Sequence, residues 1–125
     1  MLIVPPIPFR RKRKSAAPAP PGAALLLLSA TYEPEDPSVL LGFDRAINIA
    51  GLVASTITVA DQVHGLLLRG VGAELLTAEV VQVDLEVVGS SSGTGVLLNA
   101  SGGNGIVAVN DGGLWAGATN QALPF

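Results

Sequence analysis

The sequence contains no cysteine, and charged residues are scarce in it. Without cysteine the chain can form no disulfide framework, carry no thiolate nucleophile and hold no Cys-ligated zinc or iron–sulfur site. Hydrophobic residues make up 49% of the chain, which excludes a disordered body because enough side chains can be buried to offset the entropy of ordering. With 125 residues, the chain is predicted to form one domain, held by its core, by partners or by both.

Basic residues and prolines are concentrated near the N-terminus. Five of the seven basic residues form one run, Arg10-Arg11-Lys12-Arg13-Lys14, so residues 1–14 carry +5 and the remainder, with two arginines and ten acidic residues, carries −8. Six of the nine prolines lie in the first 21 residues, and proline is excluded from central strands because it lacks a backbone N–H. Residues 1–22 are therefore predicted to form an extended arm, and residues 23–125 a folded domain.

The same region has a second interpretation, in which residues 1–30 are a signal peptide. The basic run precedes the apolar stretch Ala24-Leu25-Leu26-Leu27-Leu28, and signal peptides place a basic part before an apolar part. Pro18, Pro20 and Pro21 interrupt the apolar helix, so the arm is preferred. The apolar stretch is far shorter than the ~20 residues of a membrane span, and no transmembrane segment is predicted.

Hydrophobic alternation predicts β-strands in the body. Along residues 81–87, aliphatic side chains at odd positions alternate with Gln82, Asp84 and Glu86, which predicts a strand with one face in the core and one in water. Shorter patterns predict strands at 24–32, 39–43, 56–60, 63–69, 96–98 and 106–109.

Turn signals separate these strands. Glu33-Pro34-Glu35-Asp36-Pro37 and Asn110-Asp111-Gly112-Gly113 are turns by composition, Gly89-Ser90-Ser91-Ser92-Gly93-Thr94-Gly95 is predicted to be a hairpin connection, and residues 114–125 a tail. About seven short strands with turn signals every 8–12 residues are typical of an all-β fold, and we predict an Ig-like antiparallel β-sandwich.

One stretch carries a family resemblance. Val39-Leu40-Leu41-Gly42-Phe43-Asp44-Arg45-Ala46-Ile47, with Ile57-Thr58-Val59 about ten residues later, resembles bacterial Ig-like domains of the S-layer type across residues 25–62. The resemblance implies a non-catalytic sandwich that serves as a spacer, adhesion or assembly module. Similar small domains occur among the structural proteins of tailed bacteriophages, as decoration, fibre or tail components; this step is an analogy of fold.

Catalytic chemistry has few candidates in this sequence. His64 is the only histidine, Asp61 precedes it by three residues, and Ser55 or a serine of residues 90–92 would complete a triad. We prefer a local hydrogen bond at His64, because triads are defined by geometry and not by inventory. The glycine-rich segment 89–95 lacks the lysine of a P-loop, since no lysine follows Lys14. No catalytic residue is predicted.

The sequence signals for a metal site and for a glycosylation site are equally weak. The acidic turn at residues 33–37 is too short to supply the six to eight oxygens that calcium takes, so a solvated turn is predicted, with no metal and no cofactor. Asn99-Ala100-Ser101 matches the glycosylation sequon, which matters only in a eukaryotic secretory pathway.

The arm supplies most of the predicted partner-binding residues. Apolar residues among prolines form a pre-extended strip that loses little entropy when it lies along a groove. The basic run would dock on an acidic neighbour, for which another copy's body is one candidate; nucleic acid is disfavoured because the body is acidic. Trp115 either caps one end of the core or anchors in a partner's pocket. The apolar contacts of the arm are assigned to Leu2, Ile3, Val4, Ile7 and Phe9.

The leading hypothesis is a non-enzymatic structural virion protein of a tailed bacteriophage, either a capsid decoration or cement protein or a fibre or tail accessory. Its arm would anchor it to capsid or tail proteins, and no small-molecule substrate or membrane is involved. The alternative is a secreted bacterial Ig-like adhesion or spacer domain whose residues 1–30 are a signal peptide. A third class, an enzyme that uses Asp61 and His64, is the least favoured.

Overall fold

The computed structural model describes residues 24–124, and the predicted arm lies outside them. The described chain is all-β, as the alternating pattern predicts, with nine strands and one 3₁₀ turn at Ala54–Thr56. The strands are β1 (Leu27–Glu33), β2 (Ser38–Phe43), β3 (Ile47–Asn48), β4 (Ile57–Asp61), β5 (Leu66–Thr77), β6 (Val80–Ser90), β7 (Val96–Ala100), β8 (Val107–Ala108) and β9 (Ala118–Ala122).

Seven of these strands form one curled antiparallel sheet in the order β1-β2-β6-β5-β4-β7-β9, and β3 and β8 form a separate two-stranded ribbon. Every neighbouring pair in the large sheet is antiparallel. Because the number of strands is odd, the two edge strands β1 and β9 run in the same direction.

The core lies on the inner face of the curl, where alternate residues of the central strands are buried. The β3–β8 ribbon adds the paired residues Ile47 and Ala108 to the same cluster. Since inward residues of both sheets belong to one contiguous core, the described residues form one packed unit. The fully buried aliphatic side chains include Leu41, Ile57, Val59, Leu68, Val83, Leu98 and Ile106.

Strand β6 confirms the predicted alternation over most of its length. Its inward side chains are buried as far as Leu85, while Glu86 is exposed. Val87, which the pattern places in the core, is 53% exposed, so that part of the prediction is wrong. A β-bulge leaves Val88 as an extra residue against β5, and the bulge shifts the alternation of the residues around it.

The glycine- and serine-rich segment 89–95 is not a hairpin connection, which corrects that prediction. It joins β6 to β7, and these strands are separated in the sheet by β5 and β4. The segment crosses the β4–β5 turn, where the Gln62 N–H donates to the Gly95 carbonyl at 3.0 Å and the Ser91 N–H donates to the Gly65 carbonyl at 3.2 Å. Turn composition marks a connection but does not say which strands it joins.

Two further differences from the sequence predictions have local causes. Strand β5 does not end at residue 69 but continues to Thr77. Gly70 lies within the strand, where it allows close packing: a Cβ atom there would collide with the carbonyl of Ala54. The predicted tail contains β9, whose short polar sequence carries no alternation, and Asn120 in it has a positive φ of 47°.

Candidate functional site

The two edge strands of the sheet face each other across an open groove, which we call the seam. Its volume is about 480 Å³, and residues from both edges line it. Since β1 and β9 are the ends of the sheet order, the outer edge of each has no strand partner among residues 24–124. The walls include Leu28, Ser29 and Ala30 of β1, and Ala118, Gln121 and Ala122 of β9.

The seam is closed at one end. Leu25 and Trp115 form an isolated parallel bridge there, and the Leu25 N–H donates to the Leu114 carbonyl at 3.0 Å. From this bridge β1 and β9 continue in the same direction, and the seam lies between them. The seam is therefore a groove that is closed at one end and has a strand edge along each side.

Both edges are irregular beside the seam. Leu28 is the extra residue of a bulge against β2, and β9 has a register shift against β7 near Asn120. Bulges bend a strand and raise its twist, and they commonly keep sheet edges from pairing. The two edges therefore remain apart, and no strand of residues 24–124 pairs with either of them along the seam.

Three leucines at or next to the seam expose most of their side chains. Leu26 is 56% exposed, Leu28 is 68% exposed and Leu114, beside Trp115, is 59% exposed. Single exposed apolar residues are common on protein surfaces, but a group of them beside a groove with unpaired strand edges is typical of an interaction surface. The seam thus offers both backbone hydrogen bonding and apolar contact.

The chain is firmly held where the predicted arm joins the sheet. The Leu26 N–H donates to Asp44 Oδ1 at 3.3 Å, and the Asp44 N–H donates to the Leu26 carbonyl at 3.0 Å. Arg45 Nη1 donates to the Ala24 carbonyl at 3.4 Å, and the guanidinium also pairs with Asp44 and, at 3.2 Å, with Asp111. A load on the arm would therefore be transmitted to the sheet.

Trp115, the one predicted partner-binding residue within the described chain, lies at the closed end of the seam. It is 4% exposed, and its ring meets the Phe43 ring edge to face, with centroids 5.3 Å apart. Its carbonyl accepts a hydrogen bond from Asn104 Nδ2 at 3.0 Å. This geometry is that of the core cap, one of its two predicted roles; partner binding through Trp115 stays a prediction.

The remaining predicted partner-binding residues lie outside the described residues. They are Leu2, Ile3, Val4, Ile7, Phe9, Arg10, Arg11, Lys12, Arg13 and Lys14.

A second cluster surrounds a buried carboxylate at the end of β4. Asp61 is fully buried and accepts hydrogen bonds from the Tyr32 hydroxyl at 2.9 Å and from the His64 N–H at 3.0 Å. Its Oδ2 also lies 2.8 Å from His64 Nδ1. Burial by itself raises the pKa of Asp61, but these hydrogen bonds outweigh it and the pKa is lowered. Burial and the hydrogen bond to Asp61 raise the pKa of Tyr32.

The cluster has the local geometry expected of a turn support. Asp61 spans the β4–β5 turn because its carboxylate accepts from the backbone N–H of His64, three residues on, a local side-chain-to-backbone bond of the kind that aspartate makes in turns. The His64 ring is more than half exposed, and among the described residues no serine hydroxyl hydrogen-bonds to it. Neither residue lines the seam. The local bond between Asp61 and His64 is as predicted, whereas Tyr32, 29 residues from Asp61, has no signal in the sequence that would pair the two.

The described residues hold neither a metal-binding cluster nor a membrane-spanning helix. No group of three His, Cys, Asp or Glu side chains within 24–124 is placed to hold a metal ion. In that same part of the chain, no helix is long and apolar enough to cross a membrane.

Comparison with known proteins gave no relative: no family model, no curated protein and no solved structure matches this chain.

Proposed function

We propose that this chain is a non-enzymatic structural protein fastened to neighbouring subunits by its N-terminal arm, in the virion of a tailed bacteriophage. It would act there as a capsid decoration or cement protein, or as a fibre or tail accessory. The observation that carries the proposal is that residues 24–26, which follow the predicted arm, are hydrogen-bonded to the sheet at the closed end of an open seam.

The charge distribution supports an arm that binds an acidic neighbour. All ten acidic residues lie within 24–124, together with only two basic residues, Arg45 and Arg69, whereas the arm carries the +5 run at 10–14. Opposite potentials on the arm and on the body favour association between copies or with similarly acidic subunits, and this attraction weakens as salt screens it. The body itself repels nucleic acid.

In this role the folded domain would be an Ig-like β-sandwich. The first part of the stretch that carries the resemblance, residues 39–47, runs from β2 to the start of β3, and the second part lies in β4; Phe43, Ile57 and Val59 are buried. In such a fold the apolar residues serve the core, which leaves the arm and the sheet edges for contacts with partners.

The alternative, a secreted adhesion or spacer domain with residues 1–30 as a signal peptide, fits the fold less well. Leu25 is buried in the core, and Ser29 and Ala30 pair with β2. Cleavage after residue 30 would remove this core residue and half of an edge strand. The integration of residues 25–30 into the sheet favours the arm.

The experiment is a test of incorporation. Particles from the host that carries this gene are banded in a density gradient, and the chain is quantified by mass spectrometry against the major capsid protein. We expect a fixed ratio for the natural chain and about a tenfold loss, equivalent to 1.4 kcal/mol, when Arg10 to Lys14 are all replaced by Gln. Replacing the three arginines of the run by Lys retains the charge and is the matched control.

Two results would contradict the proposal. One is absence of the natural chain from the particle bands. The other is incorporation of the neutral variant at the level of the charge-retaining control, since the basic run would then contribute nothing to attachment.

A further inference from the structure

We infer that the seam accepts residues 2–9 of a second copy of this chain as an added extended segment, so that copies are linked arm to seam. The inference rests on the proposed function, because it names the partner of the same arm. Three observations carry it: the direction of the two edges, the sequence of the arm, and the composition of the stretch that connects the arm to the sheet.

The direction of the edges leaves room for one antiparallel strand. β1 and β9 run in the same direction, away from the Leu25–Trp115 bridge. A segment that enters at the open end and runs toward this bridge would be antiparallel to both edges. Where this segment has no proline it would form an eighth strand, antiparallel to both neighbours, and would pair with both edges along that length.

The arm contains one segment suited to this position. Leu2-Ile3-Val4 is the only run of large apolar residues without proline before residue 24, so it can hydrogen-bond on both sides. Pro5, Pro6 and Pro8 lack the N–H donor that a central strand needs. Ile7 and Phe9 would therefore bind through their side chains, beside the exposed leucines of the seam.

The antiparallel direction also places the basic run near acidic groups. Residue 9 would lie at the closed end, and the run at 10–14 would follow it past Asp44 and Asp111. These two carboxylates share the single guanidinium of Arg45, which leaves one net negative charge at that end of the seam. Five positive charges arriving there are attracted by this site and by the acidic body as a whole.

A second copy is the better donor than the chain's own arm. For its own residue 9 to lie at the closed end, residues 10–23 would have to loop back to Ala24 at that same end. This stretch contains five adjacent like charges and three prolines, and both features extend and stiffen a chain. Like charges and prolines therefore disfavour a closed loop, and the fourteen residues, which span at most about 46 Å when fully extended, are long enough to bridge neighbouring molecules.

Cysteine cross-linking of the full-length protein tests the inference, because the natural chain has no cysteine. An Ile3→Cys chain is mixed with a Gln121→Cys chain under mild oxidation, and the disulfide that joins the two chains is quantified by mass spectrometry. The control partner is Glu74→Cys, which is exposed on β5 in the middle of the sheet. Trp115 fluorescence confirms that each variant is folded.

We expect the disulfide to form about tenfold faster with Gln121→Cys than with Glu74→Cys, since bound arms raise the local concentration of the thiol. Equal rates for the two partners, or no disulfide, would overturn the inference. So would a double variant, Ile3→Cys with Gln121→Cys, that cross-links only within its own chain. Any of these results combined with charge-dependent incorporation into particles would leave the proposed function standing.

Discussion

The middle of the sheet and its seam differ in how completely their strands are satisfied. β4, β5 and β6 pair on both sides, and their inward residues, Val59, Leu68 and Val83, are fully buried. β1 and β9 pair on one side only, and Leu28 at the seam is 68% exposed. The comparison indicates that the central strands carry the stability, whereas the least complete part of the fold is the part available to a partner.

The largest expected effect sets these two regions directly against each other. Leu68→Ala removes a fully buried side chain and should lower the free energy of unfolding by about 2–5 kcal/mol. The same substitution at the seam, Leu28→Ala, should change it by less than about 0.5 kcal/mol, as exposed sites usually do. Urea unfolding followed by Trp115 fluorescence measures both. Similar losses for the two variants would show that the seam is closed in solution.

The second prediction concerns the closed end of the seam, which Asn104 holds together. This buried side chain donates to the carbonyls of Ser101, at 2.7 Å, and Trp115, at 3.0 Å, and accepts from the Ile106 N–H at 2.9 Å. Asn104→Ala leaves these backbone groups without partners, at about 1–3 kcal/mol for each group that stays buried. We expect a total loss of about 2–4 kcal/mol in the same urea experiment.

The matched control for this variant is Asn110→Ala, in an exposed turn, which should change stability by less than about 0.5 kcal/mol. If Asn104→Ala were no more harmful than Asn110→Ala, the closed end would not depend on this side chain. The bridge between Leu25 and Trp115 would then have to be stable without it.

The same comparison explains how much of the fold the sequence predicts. Alternation locates β2, β4 and most of β6, because strands with one buried face repeat every two residues. It does not locate β9, which is short, polar and has one exposed side chain after another. It also misreads Gly70 as the end of a strand, since a glycine needed for close packing looks like a turn glycine.

The seam itself has no signature in the sequence, for a physical reason. It arises from the order of strands in the sheet, which is set by contacts between distant residues, such as Leu25 with Trp115. By contrast, Asp61 and His64 are only three residues apart, so their contact can be predicted from the sequence. The third member of this cluster, Tyr32, reaches Asp61 only because the sheet curls.

The third prediction concerns the buried carboxylate of β4 and its dependence on pH. Because the pKa of Asp61 is lowered in the fold, its contribution to stability is present above the unfolded value of about 3.9 and is lost as pH falls through the lower native value. Asp61→Asn should destabilise the protein by about 1–3 kcal/mol at pH 7, since the amide cannot accept all the same bonds.

The free energy of unfolding is measured as a function of pH for both proteins. Below pH 5, Asp61→Asn should lose less stability than the natural protein as the pH falls, because it has no carboxylate at this position to protonate. Asp36→Asn, in the exposed acidic turn, is the control and should retain the natural pH dependence. An Asp61→Asn protein with an unchanged acid limb would show that Asp61 is not the group responsible.

The smallest expected effect is at the irregular edge of β9. Asn120 has a left-handed φ of 47°, its N–H donates to Asn99 Oδ1 at 2.9 Å, and Asn99 Nδ2 donates to its Oδ1 at 3.3 Å. Asn120→Ala should cost about 1 kcal/mol, because alanine resists this conformation and loses the side-chain bond. Asn120→Gly keeps the backbone conformation without strain and should lie within about 0.5 kcal/mol of the natural protein. β9 pairs on one side only, so we expect it to contribute little to the free energy of unfolding. A greater loss from Asn120→Gly would mean that this edge strand contributes substantially to stability.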